Sequence, residues 1–515
     1  MKKFILHPAL MLAAFLLLVS QAWAGTWLTI LHTNDTHSHM LPFESKQFGP
    51  DCGGIVRRAG LIEKIRNETG ELLLLDAGDI LQGTPVYSIF KGEACFKAAK
   101  ACGYDATTLG NHEFDNGLAN LQTQLATSGM RLLCCNVFQR DTNRHVFAPY
   151  HVFLRQGLKI GVIGSIGNEA WDDTDRQIRA PLHQIDQITE VRATARRIQP
   201  HVDLVVLLSH AGIEFDRILA ASVPEVDVLI GGHTHEVLST PLLIEHSPEA
   251  GVARNGLNGT IVAQTGEWGT FLGRINLLVE AGGKIASWSG QLEKVTPEFE
   301  GLASPEIKNL VQEYALKLED IMNSVVGSAT SALPFPKDQR KKDLLPMGTF
   351  TAMGMREAAQ SDICIINSGA IRADLPTGSI KRGAIFEALP YDNSVVTFTM
   401  TGAALNTMLD YLAANYGEPD GYQFDGFSGT LNMTTGKAEN IQVGGKPVEA
   451  SGSYRVCTSS FMANGNIAGD KLFATVTKVE DSGVLMRDAA LAWLEKHGTI
   501  PDLSQPAIRI IRAGH

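Results

Sequence analysis

The chain has 515 residues, of which 44% are hydrophobic and 19% are charged, and a formal net charge of −11 at pH 7. This length exceeds what one hydrophobic core usually serves, so we expect two or three domains of ordinary globular composition. The acidic charge argues against a broad basic surface for a nucleic acid polymer, although local positive groups or metal ions could still bind small anions.

The first 24 residues have the pattern of an export signal: a positive Met-Lys-Lys start, an apolar run over 4–18 and small residues before Gly25. We predict a cleaved signal peptide over 1–24 and a periplasmic or secreted mature chain. An uncleaved membrane anchor is the alternative, but the apolar run is short for a span. No later apolar run is long enough to cross a bilayer, so the mature chain is expected to have no transmembrane segment.

The first half of the chain alternates short apolar runs with helical patterns. Patterns of a helix lie around 60–68 and 190–198. This alternation predicts an α/β layered domain. The apolar runs predicted as buried strands are 27–31, 72–75, 132–135, 160–163, 204–208 and 226–230.

A helix start at Ser304-Pro305-Glu306 precedes apolar residues at helical spacing as far as Met322, which predicts a helix that connects two domains. After residue 327 the pattern becomes that of an α+β domain. Strands are predicted at 394–400 and 454–458, and helices at 405–413 and 484–496. The predicted organisation is a first domain over 25–300, a linker helix over 301–327 and a second domain over 328–515.

The seven cysteines show neither a zinc-binding nor a redox spacing, and their number is odd. Cys95 and Cys102 are seven residues apart in a predicted helix, hence about 10 Å along its axis, which is too far for a disulfide. Cys364 lies in an apolar stretch and is expected in the core. Disulfide pairing and oligomeric state remain open.

Polar residues that can bind metal ions follow directly after several of the apolar runs. In open α/β sheets the loops after the strand C-termini form the ligand crevice, so we expect these side chains to gather at one edge. Asp35 and His37 alternate in an extended segment and can share a face. The candidate metal ligands are Asp35, His37, Asp79, Asn111, His210, His233 and His235.

This mixture of carboxylate, amide and imidazole groups suits first-row divalent ions such as zinc, manganese or cobalt better than magnesium alone. Two such ions about 3.5 to 4 Å apart can clamp a phosphoryl group and activate water for in-line attack. The pair needs a bridging carboxylate, for which Asp79 is the natural candidate. Each block alone could be an ordinary loop, but the five blocks in this order predict a site for two divalent metal ions.

The order Asp-x-His, Gly-Asp, Gly-Asn-His-Glu, His and Gly-His-x-His resembles the calcineurin-like metallophosphoesterase superfamily. The longer segment Gly-Asn-His-Glu-Phe-Asp-Asn-Gly over 110–117 resembles the 5′-nucleotidase family in particular. The resemblance implies a layered β-sandwich metallophosphoesterase domain flanked by helices, a linker helix and a smaller α+β substrate-binding domain. It implies one metal ion held by Asp35, His37, Asp79 and His235, and a second held by Asp79, Asn111, His210 and His233.

Two further residues match catalytic positions of that family. His112 resembles the histidine that stabilises transition-state charge or assists the leaving group, and Asp115 resembles the acid paired with it. An imidazolium beside a phosphoryl oxygen neutralises developing charge, and a carboxylate behind the ring fixes its tautomer. His39, in contrast, is expected to be a loop histidine outside the ligand set.

The second domain carries segments that resemble the family's substrate-binding motifs. Asn367 and Arg372 match its Asn-x-Gly-x-Ile-Arg motif, and Tyr391 and Phe461 match two aromatic positions. Two such rings could stack on a base, an interaction worth about 1 to 3 kcal/mol per base. Plain core packing is the alternative for both rings.

Two departures from the family pattern concern the same domain. The family's Gly-Gly-Asp-Gly, whose aspartate contacts the ribose, is replaced here by the sequence over 465–470, so Asp470 is either displaced by an insertion or the contact is absent. Lys341 stands where the family has an arginine, and lysine lacks the bidentate guanidinium fork.

The resemblance implies hydrolysis of nucleoside 5′-monophosphates, a small-molecule nucleotide substrate. A related phosphoesterase acting on cyclic nucleotides, nucleotide sugars or a sulfur-containing ester is the first alternative, and Phe114-Asp115 favours the nucleotidase over the sulfur branch. A catalytically inactive nucleotide-binding protein is the second, and the intact His112, Asp115 and metal ligands argue against it. The native metal and the preferred base remain open.

Overall fold

The computed structural model describes residues 25–174, 176–251, 255–473 and 476–512. The predicted signal peptide over 1–24 lies outside the described residues. The chain divides into two compact units, Met1–Leu316 and Lys317–His515. The division falls inside the predicted linker segment, and the domain boundaries given above remain predictions.

The first unit is a layered α/β structure. Its strands are β1 (Thr26–Thr33), β2 (Phe43–Ser45), β3 (Gly49–Cys52), β4 (Leu72–Asp76), β5 (Ala106–Thr108), β6 (Leu132–Leu133), β7 (Val137–Gln139), β8 (Tyr150–Arg155), β9 (Leu158–Ile166), β10 (Leu182–Gln184), β11 (Leu204–His210), β12 (Val228–Gly231), β13 (Leu242–Glu245), β14 (Gly259–Ala263), β15 (Phe271–Glu280) and β16 (Lys284–Lys294). Its helices are α1 (Ile55–Thr69), α2 (Pro85–Phe90), α3 (Glu93–Ala101), α4 (Gly117–Ser128), α5 (Asn168–Asp173), α6 (Arg176–Arg179), α7 (Gln187–Ile198) and α8 (Ile213–Ser222). Single turns of 3₁₀ helix lie at His112–Phe114 and Gln199–His201, and a longer one at Pro297–Leu302.

Two six-stranded sheets face each other in this unit. One has the order β16-β15-β1-β4-β5-β6, and the other has the order β13-β14-β12-β11-β9-β8. Leu28 and Ile30 of β1 share a hydrophobic cluster with Val206 and Leu208 of β11, which places the core between the sheets. In the first sheet β1, β4, β5 and β6 run parallel to one another, whereas β15 is antiparallel to both of its neighbours. The predicted layered fold is confirmed.

β11 shows why its sequence reads as one continuous apolar run. Its alternate residues Val205 and Leu207 pack with Val191 and Ala195 of α7, on the side opposite the sandwich core. A strand covered on both faces has no solvent-facing positions, so apolar and polar residues do not alternate. Full burial of each such side chain stabilises the fold by roughly 1.5 to 3 kcal/mol.

Most of the predicted elements of the first unit coincide with observed ones, and one predicted strand is shorter than expected. Within 132–135 only Leu132–Leu133 is a strand. The amide groups of Cys134 and Cys135 donate to Ala148 and Gly164, so the chain leaves the ladder beside β5 at this point. β5, which precedes Asn111, is three residues long and was not predicted.

The predicted connecting helix is present as α9 (Pro305–Asn323), and the division between the units falls within it. The Ser304 hydroxyl oxygen accepts a hydrogen bond from the amide of Ile307 (3.4 Å), as the capping pattern predicts. Ile307, Val311 and Tyr314 form its buried face. Among the described residues, no helix combines the length and apolarity that a bilayer span requires.

The second unit is an α+β structure with a five-stranded mixed sheet, β21-β18-β25-β20-β26, and sheets of three and four strands. Its strands are β17 (Val325–Ala329), β18 (Ile363–Asn367), β19 (Gly378–Lys381), β20 (Ser394–Thr401), β21 (Tyr422–Asp425), β22 (Phe427–Asn432), β23 (Lys437–Val443), β24 (Lys446–Pro447), β25 (Ser453–Ser459), β26 (Thr477–Leu485), β27 (Thr499–Ile500) and β28 (Ile508–Ile511). Its helices are α10 (Pro346–Ala358), α11 (Arg382–Ala388), α12 (Gly402–Asn415), α13 (Ser460–Ala463), α14 (Gly469–Leu472) and α15 (Met486–His497), with a 3₁₀ turn at Ser368–Ala370.

The core of the second unit lies between its mixed sheet and α12. Ile363 and Ile365 of β18 share a hydrophobic cluster with Leu405 and Leu409 of α12. Cys364, which points the other way along the same strand, is buried as predicted and lies opposite Cys457 of β25. All seven cysteines are buried and free, and all lie within the described residues.

Candidate metal centre

The seven candidate ligands come from the C-terminal ends of five strands, as the alternation of strands and helices predicts. Asp35 and His37 follow β1, Asp79 follows β4 and Asn111 follows β5, all in one sheet. His210 ends β11, and His233 and His235 follow β12, both in the other sheet. Parallel strands present their carboxyl ends at the same edge, so the two sheets bring these side chains to one place.

Two carboxylates lie among the imidazole rings. Asp35 Oδ1 is 3.4 Å from His235 Nε2, 3.9 Å from His210 Nε2 and 4.0 Å from His37 Nε2. Asp79 Oδ2 is 3.2 Å from His210 Nε2 and 3.9 Å from His37 Nε2. These atoms form two overlapping groups that could each hold an ion: Asp35 with His37 and His235, and Asp35 with Asp79 and His210. Asp35 belongs to both groups, whereas the family resemblance makes Asp79 the shared ligand.

The remaining two candidates lie beside these groups. The His233 ring centroid is 5.2 Å from that of His210, and its amide donates to the Asp35 carboxylate at 3.0 Å. The Asn111 side-chain oxygen is buried and accepts no hydrogen bond within the described chain. A buried acceptor without a donor costs about 1 to 3 kcal/mol, which a bound cation would offset.

The tautomers of the imidazole rings also suit a bound cation. The Nδ1 atoms of His210 and His37 lie 2.8 Å and 3.2 Å from the carbonyl oxygens of Ala77 and Leu81, so each ring donates there. In the neutral rings the lone pair of Nε2 then faces the carboxylates, and His37 Nε2 is only 3.1 Å from His235 Nε2. Lone pairs that converge in this way repel one another unless a proton or a metal ion lies among them.

The electrostatic field of the centre favours cations. Burial opposes protonation of His210, but the Asp79 and Asp35 carboxylates raise its pKa to about 10. Burial alone would raise the pKa of Asp79, yet the surrounding histidines hold that pKa well below its ordinary value. Carboxylates that stay ionised while buried stabilise positive charge beside them, whether it is a proton or a divalent ion.

The backbone is strained at most of the ligands. Asp35, His37, Asp79, His233 and His235 have φ angles of 48°, 43°, 55°, 79° and 57°. A non-glycine residue held in this left-handed region costs on the order of 1 to 3 kcal/mol, and such strain clusters at functional sites. Close packing adds to the constraint, because a Cβ atom on Gly110 would lie 2.1 Å from Asp79 Oδ1.

Glu113 organises the backbone beneath the centre, a role that the sequence did not reveal. Its buried carboxylate accepts hydrogen bonds from the amides of Asp79 (3.0 Å), Ile80 (2.8 Å) and Gly110 (2.7 Å). These bonds fix the loops that carry Asp79 and Asn111 relative to each other. The acid in Gly-Asn-His-Glu was a visible signal, but nothing in the motif distinguishes an acid that binds backbone from one that binds metal.

Glu267 is a second residue that sequence reasoning missed. Its carboxylate oxygen lies 2.6 Å from His235 Nδ1, so the ring donates to it and directs Nε2 toward Asp35. Carboxylates that hold a histidine in this way orient it and raise its basicity toward a metal. Glu267 is 32 residues from its partner and lies in no recognisable motif.

Replacing Glu267 with glutamine should weaken metal binding at the His235 side of the centre by about 10- to 100-fold, because the neutral amide holds the ring less firmly. Calorimetric titration of the chelated protein with Zn²⁺ or Mn²⁺ measures this directly. Glu236→Gln is the matched control, since Glu236 is exposed and its backbone amide and carbonyl form hydrogen bonds with Gln264 and Gly266. Equal affinities of the two variants would contradict the positioning role.

His112 and Asp115 lie beside the cluster and are accessible. His112 Nδ1 is 2.8 Å from Asp115 Oδ2, and the two side chains are 32% and 36% exposed. The His112 ring is 5.5 Å from that of His37, and its amide donates to Asp79 Oδ1 (3.0 Å). Partial burial opposes protonation, but Asp115 and then Asp79 raise the pKa of His112 to about 10. The cationic form is therefore favoured at neutral pH.

His39 lies outside the ligand groups. Its ring stacks on Trp268 at 4.8 Å, and its Nδ1 lies 2.9 Å from the carbonyl oxygen of His37. These contacts hold the loop after β1, which agrees with the expectation of a loop histidine.

In the second unit, a cavity of about 350 Å³ collects three of the five predicted substrate-binding residues. Tyr391 and Phe461 line it and are 46% and 38% exposed, so they are not packed into a core. The Arg372 guanidinium lies 5.9 Å from the Tyr391 ring centroid, within cation–π range. The lining residues are Asn367, Gly369, Ala370, Tyr391, Asn393, Asp420, Phe461 and Ile467.

Lys341 and Asp470 are placed differently. Lys341 Nζ donates to the carbonyl oxygen of Pro419 (2.8 Å), and neither Lys341 nor Asp470 is among the residues that line the cavity. Asp470 lies on α14 and is exposed. The substrate-binding role of Lys341 remains a prediction. Asp420, which does line the cavity, has no motif around it and was missed.

Comparison with known proteins relates both units to described families. A family model described as calcineurin-like phosphoesterase matches residues 28–237, and one described as 5′-nucleotidase, C-terminal domain, matches residues 325–475. The chain is 28% identical to a 5′-nucleotidase of Vibrio cholerae, over 85% of each chain, and 26% identical to protein UshA of Yersinia enterocolitica, over 94% of each. The structure of a 5′-nucleotidase precursor from Thermus thermophilus is similar with a TM-score of 0.61 at 25% identity, covering 95% of this chain and all of that one.

Proposed function

Because the chain belongs to the 5′-nucleotidase family, in which a calcineurin-like phosphoesterase domain is joined to a 5′-nucleotidase C-terminal domain, we propose that it hydrolyses nucleoside 5′-monophosphates to nucleoside and phosphate. The observation that carries this proposal is the convergence of two buried carboxylates and four histidine rings from four strand ends. Such a cluster has the donor set of a dinuclear phosphoesterase centre.

Divalent metal ions are implied by the phosphoesterase domain. The residues present fit such ions, because they offer carboxylate, amide and imidazole donors, and the Asn111 side-chain oxygen has no hydrogen-bond donor among the described residues. The tautomers of His37 and His210 also turn their Nε2 lone pairs toward the carboxylates. Asp35, His37, Asp79 and His235 would hold one ion, and Asp79, Asn111, His210 and His233 the other. Ions bound there supply Lewis acidity and lower the pKa of water, as Zn²⁺, Mn²⁺ and Co²⁺ all do.

The chain's own side chains would bind and orient the phosphoryl group. The His112 imidazolium offers its Nε2–H to a phosphoryl or leaving-group oxygen, because Asp115 already holds Nδ1–H. Asp79 Oδ1 accepts the amide hydrogen of His112 and so keeps that ring beside the cluster. Charge that develops on the phosphate oxygens in the transition state thus meets a preplaced cation.

The cavity of the second unit would bind the nucleoside. Tyr391 and Phe461 offer exposed aromatic faces on which a base can stack, and Asn367 and Arg372 would hold the rest of the substrate. We also propose that residues 1–24 direct export to the periplasm or the medium, where such an enzyme would act on extracellular nucleotides.

A metal and substrate panel tests this function. Chelation should abolish hydrolysis of 5′-AMP, and individual divalent ions should restore it. Among 5′-AMP, a 2′,3′-cyclic nucleotide, a nucleotide sugar and p-nitrophenyl phosphate, we expect 5′-AMP to have the highest kcat/KM. Faster turnover of the cyclic nucleotide or the sugar would point to the related phosphoesterases, and 5′-AMP binding without hydrolysis by the metal-loaded chain would indicate an inactive binding protein.

A further inference from the structure

Two buried polar side chains form one wall of the cavity in the second unit. Asp420 and Asn367 are 6% and 4% exposed, and both line the cavity. Asn367 ends β18, and Asp420 lies two residues before β21, which pairs with β18. In sequence, 53 residues separate the two side chains, and the pairing of β18 with β21 brings them together.

Some hydrogen-bond acceptor positions of Asp420 and Asn367 receive no donor from the described residues. Asp420 Oδ2 accepts the amide hydrogen of Gly369 (2.7 Å) and a long bond from Asn367 Nδ2 (3.4 Å), and Oδ1 accepts from the amide of Gly421 (2.9 Å). A carboxylate has about four acceptor positions, so at least one remains. The Asn367 oxygen Oδ1 is buried and has no hydrogen-bond partner within the described residues.

This arrangement selects a particular ligand chemistry. The wall presents two acceptors from adjacent side chains, so it fits a ligand group with two neighbouring donors. The negative charge of Asp420 disfavours a phosphate at the same place. The exposed rings of Tyr391 and Phe461 in the same cavity fit a flat apolar ring system. A nucleoside whose ribose keeps both the 2′ and 3′ hydroxyls combines these properties.

We propose that Asp420 and Asn367 bind the ribose 2′,3′-diol and make the chain selective for ribonucleotides over nucleotides that lack these hydroxyls. This inference rests on the proposed nucleotidase function and names its substrate class. It assigns the sugar contact to Asp420, which precedes β21, and not to Asp470, which lies exposed on α14. A hydroxyl bonded to a buried charged acceptor is the kind of contact whose loss an enzyme detects strongly.

The test compares kcat/KM for 5′-AMP, 2′,3′-dideoxy-5′-AMP and p-nitrophenyl phosphate, which has no sugar, in the metal-loaded full chain. We expect the unchanged protein to prefer 5′-AMP over the dideoxy analogue by roughly tenfold to a hundredfold. Asp420→Asn, which keeps an oxygen for the Gly369 amide, should reduce that preference to about threefold or less. Its activity on p-nitrophenyl phosphate measures any loss of turnover that does not depend on the sugar.

Asp470→Asn is the comparison variant, and its preference should equal that of the unchanged protein. If Asp470→Asn lost the preference for 5′-AMP and Asp420→Asn kept it, the assignment would be overturned. An equal fall of kcat/KM on all three substrates in Asp420→Asn would overturn it as well. A second measurement compares adenosine with 2′,3′-dideoxyadenosine as inhibitors of the unchanged protein and therefore needs no variant. Equal inhibition by the two compounds would also overturn the assignment. Hydrolysis of p-nitrophenyl phosphate with no nucleotide turnover would refute the nucleotidase function itself, and a nucleotidase without sugar preference would refute this inference alone.

Discussion

Replacing Asp79 with alanine should abolish hydrolysis of nucleoside 5′-monophosphates. Its carboxylate lies 3.2 Å from His210 Nε2 and 3.9 Å from His37 Nε2, so its removal takes one negative charge from beside a histidine of each ligand group. Loss of a bridging ligand, the role proposed for Asp79, should forfeit several kcal/mol of transition-state stabilisation, which corresponds to a fall in kcat/KM on the order of 10⁴-fold. Steady-state assays with saturating divalent metal measure the fall, and elemental analysis should find fewer than two ions per chain.

Asp79 also accepts the His112 amide, so the alanine variant could lose activity by displacing His112 alone. Asp79→Asn separates the two effects, because its amide oxygen still accepts that hydrogen while the charge is gone. We expect it to be nearly as inactive as the alanine variant and to bind metal as poorly. Asp141→Ala, which removes an exposed acid elsewhere in the first unit, is the control. Activity of either Asp79 variant within about tenfold of normal would refute the bridging role.

The candidate metal centre was largely predictable because its candidate ligands follow strand ends. The length and boundaries of an apolar run such as 204–208 favour a buried strand, and the parallel arrangement then places His210 at the carboxyl end of that strand. Glu267 was not predictable, because it lies in the loop between β14 and β15, 32 residues after His235, and no motif marks it. Three-residue β5 was missed for a different reason, since so short a run has no periodicity to detect.

The substrate cavity shows the same limit more clearly. Tyr391 and Phe461 could be named because they lie in motifs, and their exposure of 46% and 38% separates them from core residues. Asp420 has no motif, and it meets Asn367 only through the pairing of β21 with β18. Lys341 stands at the motif position, yet its ammonium group donates to Pro419 instead of lining the cavity. Position in a motif predicts the neighbourhood of a side chain, but the contacts of that side chain depend on residues distant in sequence.

Replacing His112 with alanine should lower kcat by about 10²- to 10⁴-fold while both metal ions remain bound. The ring is not among the ligand groups, and its Nε2 is free to meet a phosphoryl or leaving-group oxygen because Nδ1 bonds to Asp115. Elemental analysis distinguishes this loss from that of Asp79→Ala. His39→Ala is the matched control, since it removes a nearby imidazole that stacks on Trp268, and we expect a loss below about tenfold.

The pairing of His112 with Asp115 also predicts the direction in which the pH profile of kcat shifts in a variant. Asp115 raises the pKa of His112, so the cationic ring persists to higher pH than a free imidazole would. If the cation is the active form, kcat is lost as the pH rises through the pKa of His112 in the enzyme–substrate complex. Asp115→Asn removes the charge that raises this pKa, so the alkaline fall of kcat should move to lower pH. Two outcomes would contradict this role: a pH profile that Asp115→Asn leaves unchanged, and a His112→Ala protein that has lost its metal ions. Either would show that His112 acts as a ligand or a structural group instead of stabilising charge on the phosphoryl group.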